Sequence, residues 1–373
     1  MTPAERFLKV LSFEQPDRIP VFDFGYWRET ITRWYQEGLP THLKTYEEIE
    51  SFFKGDRGFE LNMVNHWGPA EMEGIEWGPY PPLERVVLEE DEETILYGGE
   101  IGLIREHKKT GSISQTLKYP IETLEDFEKK SVPRMNGSDQ GRVPAGFDEK
   151  IKLLRSQGEP AGVWLDGFLE YPRELIGIEN LCYAYYDEPE LVQGINAQHL
   201  EFIKQYVDMV LTHTPLEYAC IVEDMAYKNG SMISKEIFDR FMRPYYVELV
   251  SFLRSRNIQK ILLDSDGCTV DIIPWMIDLG IDGHYPLEVI AGSTPQLLRE
   301  KFPKFALIGG VNKFALEKGP KAIDAELEAL CPVIEKGGYI PSVDHKVPPT
   351  VSLYNYQYYI EKKMRILEKF AAK

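Results

Sequence analysis

The segment KILLDSDGCTVDIIPWMIDLGIDGHYPLE, residues 260–288, decides the fold class. Its apolar run Ile261-Leu262-Leu263 drops directly into Asp264-Ser265-Asp266-Gly267. Apolar residues at helical spacing follow (Val270, Ile273, Met276, Ile277), then a second short run, Ile281 to Tyr285, carries His284 and leads to Glu288. Strand, helix and strand in that order make a βαβ unit. Ligands of α/β proteins sit at the carboxyl ends of parallel strands, so Asp264, Asp266, His284 and Glu288 stand where chemistry is done.

The same alternation extends to both sides. Downstream, Phe305 to Gly310 and Gly338 to Asp344 read as strands, with helices over Ala322 to Ile334 and Tyr354 to Phe370. Upstream, Gly162 to Asp166 and Tyr218 to Asp224 are strands, separated by helices over Leu175 to Tyr186 and Glu190 to Leu211. Ile237 to Leu253 is a further helix. Near the start, Thr2-Pro3-Ala4-Glu5 is a capping box opening a helix. Ile19 to Phe24 and Phe59 to Val64 are expected as the first two barrel strands, with a helix over Trp34 to Phe53 between them.

Eight candidate parallel strands with intervening helices predict an α/β fold, a (β/α)8 TIM barrel spanning residues 1–373 as a single domain. Residues 80–120 differ in character. Val86-Val87-Leu88, Thr94 to Tyr97 and Ile101 to Ile104, divided by acidic or Gly turns, predict an inserted antiparallel β-meander near the N-terminal half, lying over the barrel mouth. The polar stretch Glu125 to Gly146 reads as a surface connection.

Composition narrows the function. The chain of 373 residues is 43% apolar and 12% aromatic, ample for a packed core. No run approaches a membrane span and no signal-peptide pattern opens the chain, which predicts a cytoplasmic protein. Four scattered cysteines without a CxxC pair suit reduced thiols and exclude a Cys-rich zinc finger. A net charge of −18 argues against nucleic acid or an anionic membrane as partner. A homodimer is one assembly such a chain allows.

The strand ends offer Tyr26, Arg28, His66, Asp166, Glu223, Asp224, Asp264, Asp266, His284, Glu288, Asn312, Asp344 and His345. Carboxylates converging on one cavity need protons or a cation. Asp264-x-Asp266 with His345, joined by Glu223 and Glu288, makes an oxygen- and nitrogen-ligand metal site; zinc suits a mixed His/carboxylate set best, and manganese or iron would fit. The blander readings carry weight. Asp-Ser-Asp-Gly is also a turn or helix cap, Glu223-Asp224 could pair with Arg28 or Lys228, and a lone His284 is more often hydrogen-bonded core than catalyst. Asp344-His345 is the firmer signal, because Val347-Pro348-Pro349 stiffens the loop just beyond it.

The order of these pieces resembles the uroporphyrinogen decarboxylase superfamily over nearly the whole chain. Asp17-Arg18-Ile19-Pro20-Val21 is similar to its first strand, and Leu175 to Leu181 with Asp187 to Leu191 to its middle helices. Gly337-Gly338-Tyr339-Ile340 through His345, Pro349 and Asn355 resembles its closing strand and functional loop. The decarboxylases carry two arginines after the first strand, where this chain reads Phe22-Asp23-Phe24-Gly25-Tyr26-Trp27-Arg28-Glu29. Corrinoid-dependent methyltransferases, the other large branch, include members with a His-x-Cys pair and a late Cys as zinc ligands. Asp264-x-Asp266 and His345 occupy those places here. Glu223 to Lys228, the Glu89 to Glu100 hairpin and Val347-Pro348-Pro349 resemble the sub-branch that demethylates methoxylated aromatics.

The resemblance implies a methyltransferase that cleaves a methyl ether and passes the methyl group to Co(I) of a corrinoid on a separate protein. His345, Glu223 and Asp224 would be catalytic, with a divalent metal, zinc first, polarising the ether oxygen. Tyr26, Trp27, Arg28, His66, Trp67, Asp166 and His284 would bind the substrate. The alternatives are a decarboxylase of another carboxylated substrate, using His345 and Asp166, and a corrinoid or tetrapyrrole binder without turnover.

Overall fold

The computed structural model describes residues 1–65, 74–108 and 114–371. The first helix, Pro3–Leu11, starts on the capping box read from sequence: the Thr2 hydroxyl accepts from the Glu5 amide, and Glu5 accepts from the Thr2 amide. The inserted meander is strands β1 (Arg85–Glu90), β2 (Thr94–Gly99), β3 (Leu103–His107) and β4 (Gln115–Lys118), each antiparallel to the next. Its fourth strand goes beyond the three that the sequence pattern predicts. The chain then supplies β5 (Gly162–Asp166) and β6 (Tyr218–Val222), a two-residue hairpin of β7 (Ala226–Tyr227) and β8 (Gly230–Ser231), and then β9 (Lys260–Asp264), β10 (Gly283–Tyr285), β11 (Ala306–Val311) and β12 (Tyr339–Val343).

Strands β5, β6, β9, β10, β11 and β12 form one sheet in that order, and every pair is parallel. Helices such as Pro189–Leu211, Arg243–Ser255 and Pro320–Glu335 connect them on the outside. Helix cover outside and packed side chains inside leave the strands buried on both faces, which is why they read as runs such as Ile261-Leu262-Leu263 rather than as alternations. The register pairs Asp166 with Val222, Val222 with Asp264, and Asp264 with Tyr285. The polar strand ends therefore stand level on one rim.

The fold is of the (β/α)8 type, but the first two strand places are filled differently from the expectation. Ile19 to Phe24 forms no ladder, and Glu60–Asn62 is a turn of 3-10 helix followed by an isolated bridge from Met63 to Gly162. Side chains take over the missing pairing. Asn65 holds both backbone groups of Trp164, donating to its carbonyl (2.7 Å) and accepting from its amide (2.8 Å). Asp23 accepts from the Val343 amide at 2.7 Å on the opposite edge. Tyr26 then bridges to Val347. The helix expected over Trp34 to Phe53 is two helices, Arg28–Gln36 and Tyr46–Phe52, because Gly38 turns to φ 109° and Pro40 follows. Glu125 to Gly146 is also more than a connection: it holds part of the helix Leu124–Lys130 and the buried Arg142.

The Asp23 carboxylate also accepts from Tyr356 (2.8 Å), Tyr359 (2.9 Å) and the buried ammonium of Lys363 (3.1 Å). Removing one partner of a buried ion pair leaves the other charge uncompensated. Lys363→Met is therefore expected to lower the unfolding free energy by about 3–5 kcal/mol, read from the urea midpoint.

Candidate active site

At the carboxyl end of the sheet, β9 stops on Asp264 and turns through Ser265 to Asp266, while β12 stops at Val343 and turns through Asp344 to His345. These two turns bring Asp266 Oδ2 to 3.8 Å from His345 Nε2. The imidazole lies against Phe24 (ring centroids 4.9 Å, nearly parallel) and Trp27 (6.0 Å). Phe24 in turn stacks on Tyr285 at 5.1 Å. Burial, then the neighbouring Lys313 and Lys346, pull the His345 pKa down to about 4, so the ring is neutral at physiological pH.

Asp266 is shifted the other way. Partial burial raises its pKa to about 7 in a side chain that keeps 43% of its surface exposed, Asp224 and Glu288 add repulsion, and Lys313 opposes the shift. Its Oδ1 is buried without a hydrogen-bond partner. The loop carrying it is tied down from both sides: the Asp266 amide donates to Asp224 Oδ1 (3.0 Å) and the Gly267 amide to Glu288 Oε2 (2.9 Å). Asp344 is pushed up to about 6 by burial, although its Oδ1 accepts from the Lys313 amide at 3.1 Å. Glu60 reaches about 7 through burial while accepting from Tyr285 at 3.0 Å. Glu170 reaches about 9 through burial, with Arg173 opposing and Asp224 adding to the shift. The rim is a ring of carboxyls competing over few counter-charges.

Several residues expected at the site are placed elsewhere. Glu223, expected as ligand and catalyst, is fully buried and accepts from the amides of Phe168 (2.8 Å), Leu169 (3.0 Å) and Glu170 (2.8 Å) and from the Tyr246 hydroxyl. It caps the start of the helix Glu170–Ile176 from the neighbouring strand end. His284 is buried between Thr269 Oγ1 (3.0 Å) and the Leu263 carbonyl (3.3 Å), with burial holding its pKa near 4. It is core, as its blander reading had it. Tyr26 is also core, its hydroxyl 3.0 Å from that of Tyr356. Arg28 is exposed on the first turn of its helix, and His66 and Trp67 lie outside the described residues. Asp224 and Glu288 remain on the rim, where they orient the Asp266 loop. Trp27 and Asp166 face the mouth, Asp166 accepting from Trp77 Nε1 at 2.7 Å.

The metal set is not assembled as predicted. Among the described residues, no three His, Cys, Asp or Glu side chains are grouped to hold a metal ion. Asp266 and His345 offer two donors; Asp264 is buried on the strand itself, Glu223 is capping a helix and Glu288 is bound to Gly267. A donor set that stops at two does not close a zinc site, so no step below passes through a metal. Sequence reasoning also missed Phe24, Glu60, Glu170, Lys313 and Trp77. Of these, Phe24, at the end of the first expected strand, and Lys313, two residues past the strand β11, carried a positional signal.

The family profile for uroporphyrinogen decarboxylase (URO-D) matches residues 107–364. This chain belongs to the uroporphyrinogen decarboxylase family. Among solved structures, it resembles a methyltransferase from Methanosarcina mazei, at 16% identity with a TM-score of 0.60 and both chains covered in full. That likeness shows a shared fold. A uronate isomerase from Bacillus halodurans C-125 overlaps 60% of this chain and 55% of its own, with 13% identity and a TM-score of 0.25, too low to carry an argument. The comparison with curated proteins gives no match. Among the described residues, no helix is long and apolar enough to cross a membrane.

A carboxyl whose folded pKa exceeds its unfolded value of about 4 holds its proton more tightly in the fold. The resulting stabilisation is complete below that value and lost as pH rises through the folded pKa. Glu60, Asp266 and Asp344, raised to about 7, about 7 and about 6, thus make the protein less stable on the alkaline side. Above about pH 6.5, where the lowered histidines His284 and His345 no longer offset the carboxyls, the thermal midpoint should fall toward about pH 8, and Glu60→Gln should flatten that slope. A midpoint that climbs steadily over this range would contradict the protonated rim.

Proposed function

We propose that this protein is a corrinoid-dependent methyltransferase. It would take the methyl group of a methyl ether, a methoxylated aromatic in particular, and deliver it to Co(I) of a corrinoid held on a separate protein. The observation that carries the reading is the Asp266–His345 pair: an acid with a pKa of about 7 beside a neutral imidazole, walled by Phe24 and Trp27.

Ether cleavage by methyl transfer leaves both electrons of the C–O bond on oxygen. An alkoxide or phenoxide is a poor leaving group unless the developing charge is met by a proton or a fixed dipole. Protonated Asp266 supplies that proton, so the products are the methylated acceptor and a neutral phenol or alcohol. His345 is neutral, with a pKa of about 4 and its Nε2 3.8 Å from the acid, so it is too weak a base to strip the proton and leaves it free for the departing oxygen. Asp224 and Glu288 hold the Asp266 loop in place and, through repulsion, add to the burial that raises its pKa. Phe24 and Trp27 exclude water beside the imidazole and offer flat apolar surface to a ring. The corrinoid supplies the nucleophile when its carrier protein docks on the barrel mouth. The setting we propose is the cytoplasm, where an exposed thiol such as Cys182 stays reduced.

Family membership favours a second reading, decarboxylation of a carboxylated substrate by the same acid and imidazole. A substrate rich in carboxylates would, however, meet Asp166, Glu170, Asp224, Asp264, Asp266, Glu288 and Asp344 around the rim of a chain of net charge −18. The net negative charge of the chain disfavours that encounter, and the rim carboxyls add to it as they lose their protons.

Two measurements test the methyltransferase reading. Incubation with an aryl methyl ether and a reduced corrinoid protein should form methylcobalamin, and silence across a panel of such ethers would sink it. Asp266→Asn should lower kcat by about 10²–10⁴ while leaving donor binding in place. The wild-type kcat should decline above about pH 7, where Asp266 loses its proton.

A further inference from the structure

The meander roofs a cavity of about 370 Å³ that reaches down to Asp166 at the end of β5. Its apolar wall comes from three separate segments. Ile101 and Ile104 descend from the meander, Trp77 and Leu83 come from the loop before it, and Tyr171 and Leu175 from the helix Glu170–Ile176. The size falls within the range of roughly 300–1,000 Å³ typical of small-molecule sites. Among the described residues, Asp166 and Glu174 are the acidic groups on the wall, and no Lys, Arg or His joins them.

The wall is held rigidly. The Trp77 indole donates to Asp166 Oδ2 at 2.7 Å and packs on Phe202 and Tyr206, with ring centroids 5.0 and 4.9 Å away. The next residue, Gly78, is pinned through its carbonyl by Arg142 at 2.7 Å. That buried guanidinium also donates to the carbonyls of Arg134 and Asn136, both at 2.9 Å. Tyr171 stacks face to face on His199 at 3.9 Å. Both aromatic walls are therefore fixed before any ligand arrives, which spares a ligand the cost of ordering them.

We propose that this cavity binds the ring of an uncharged aromatic substrate that carries a hydroxyl group, the hydroxyl donating to the carboxylate of Asp166. The assignment deepens the methyl-ether reading and rests on it for the link between cavity and acid. Fixed rings and aliphatic side chains select a flat apolar body. A wall whose described acidic groups are carboxyls accepts a donor and offers an anion no charged partner among the residues that line it. Strand β6 alone separates β5 from β9, so the ends of those strands lie about 10 Å apart. A ring with substituents at opposite ends spans most of that gap: its hydroxyl meets Asp166 and its methoxy group points along the rim toward Asp266. The meander, which the barrel itself does not need, would then set substrate choice.

Calorimetric titration of the full chain with 4-methoxyphenol and with 4-methoxybenzoate tests this. The phenol should bind with one site per chain and the anion at least about tenfold more weakly. Ile104→Trp puts an indole into the space the ring would take and should weaken phenol binding by at least about tenfold, whereas Ile104→Ala, which only enlarges the cavity, should keep binding within about threefold and so show that the meander still folds. Wild-type affinity in Ile104→Trp, equal binding of the anion, or no phenol binding at all would overturn the assignment. Methyl-transfer assays on the same preparations separate it from the reading beneath it. Ring binding that Ile104→Trp abolishes, in a wild type that transfers no methyl group, keeps the cavity and removes the ether chemistry. Transfer by Ile104→Trp at the wild-type KM removes the cavity and keeps the chemistry.

Discussion

A parallel sheet has two edges, and each exposes backbone groups that must be satisfied before the barrel can close around a dry interior. In this protein side chains do much of that work. The Asn65 amide pairs with the Trp164 backbone on the β5 edge as a strand would, and the Asp23 carboxylate takes the Val343 amide on the β12 edge. An amide side chain can mimic the peptide group because it carries the same donor and acceptor. A carboxylate only accepts, so Asp23 needs further donors and finds them in Tyr356, Tyr359 and Lys363 of the last helix. The C-terminal helix is thereby tied to the N-terminal segment, and the aromatic residues that follow Asp23 are delivered to the mouth.

The mouth inherits its chemistry from that closure. Phe24 and Trp27 lie on the segment that Asp23 anchors, and they hold the His345 ring close to Asp266. Level strand ends then crowd carboxyls onto one rim. Burial and mutual repulsion keep part of this rim protonated, while burial, with Lys313 and Lys346 adding to it, holds His345 neutral. An acid that is protonated near neutral pH and an imidazole that is not form a proton-donating pair. No single residue has that property alone; it follows from how many acids share how little solvent.

The βαβ rhythm was legible because buried parallel strands leave unbroken apolar runs, and six of the eight expected strands form the sheet. The two that failed, Ile19 to Phe24 and Phe59 to Val64, have the same apolar content. Their pairing is made by Asp23 and Asn65, and periodicity records where side chains face rather than which atoms replace a ladder. The site shows the same limit. Asp266 and His345 were readable as strand-end residues, and they meet. Glu223 was equally readable and went to a helix start, since three free amides next to a buried carboxylate outcompete a place on the rim. Trp77 and Ile104 had no signal, because each becomes part of a cavity only when the meander folds over the mouth.

Composition, the apolar runs and the turn residues by themselves determined an α/β chain with its polar strand ends gathered at one end and a meander inserted before them. Those features are local, set by which side chains can be buried in a strand and which conformations Gly and Pro permit. Only the tertiary structure decided which acids face each other, which are consumed as caps and which keep a proton. Those outcomes depend on distances between residues far apart in sequence and on how completely the fold removes them from water.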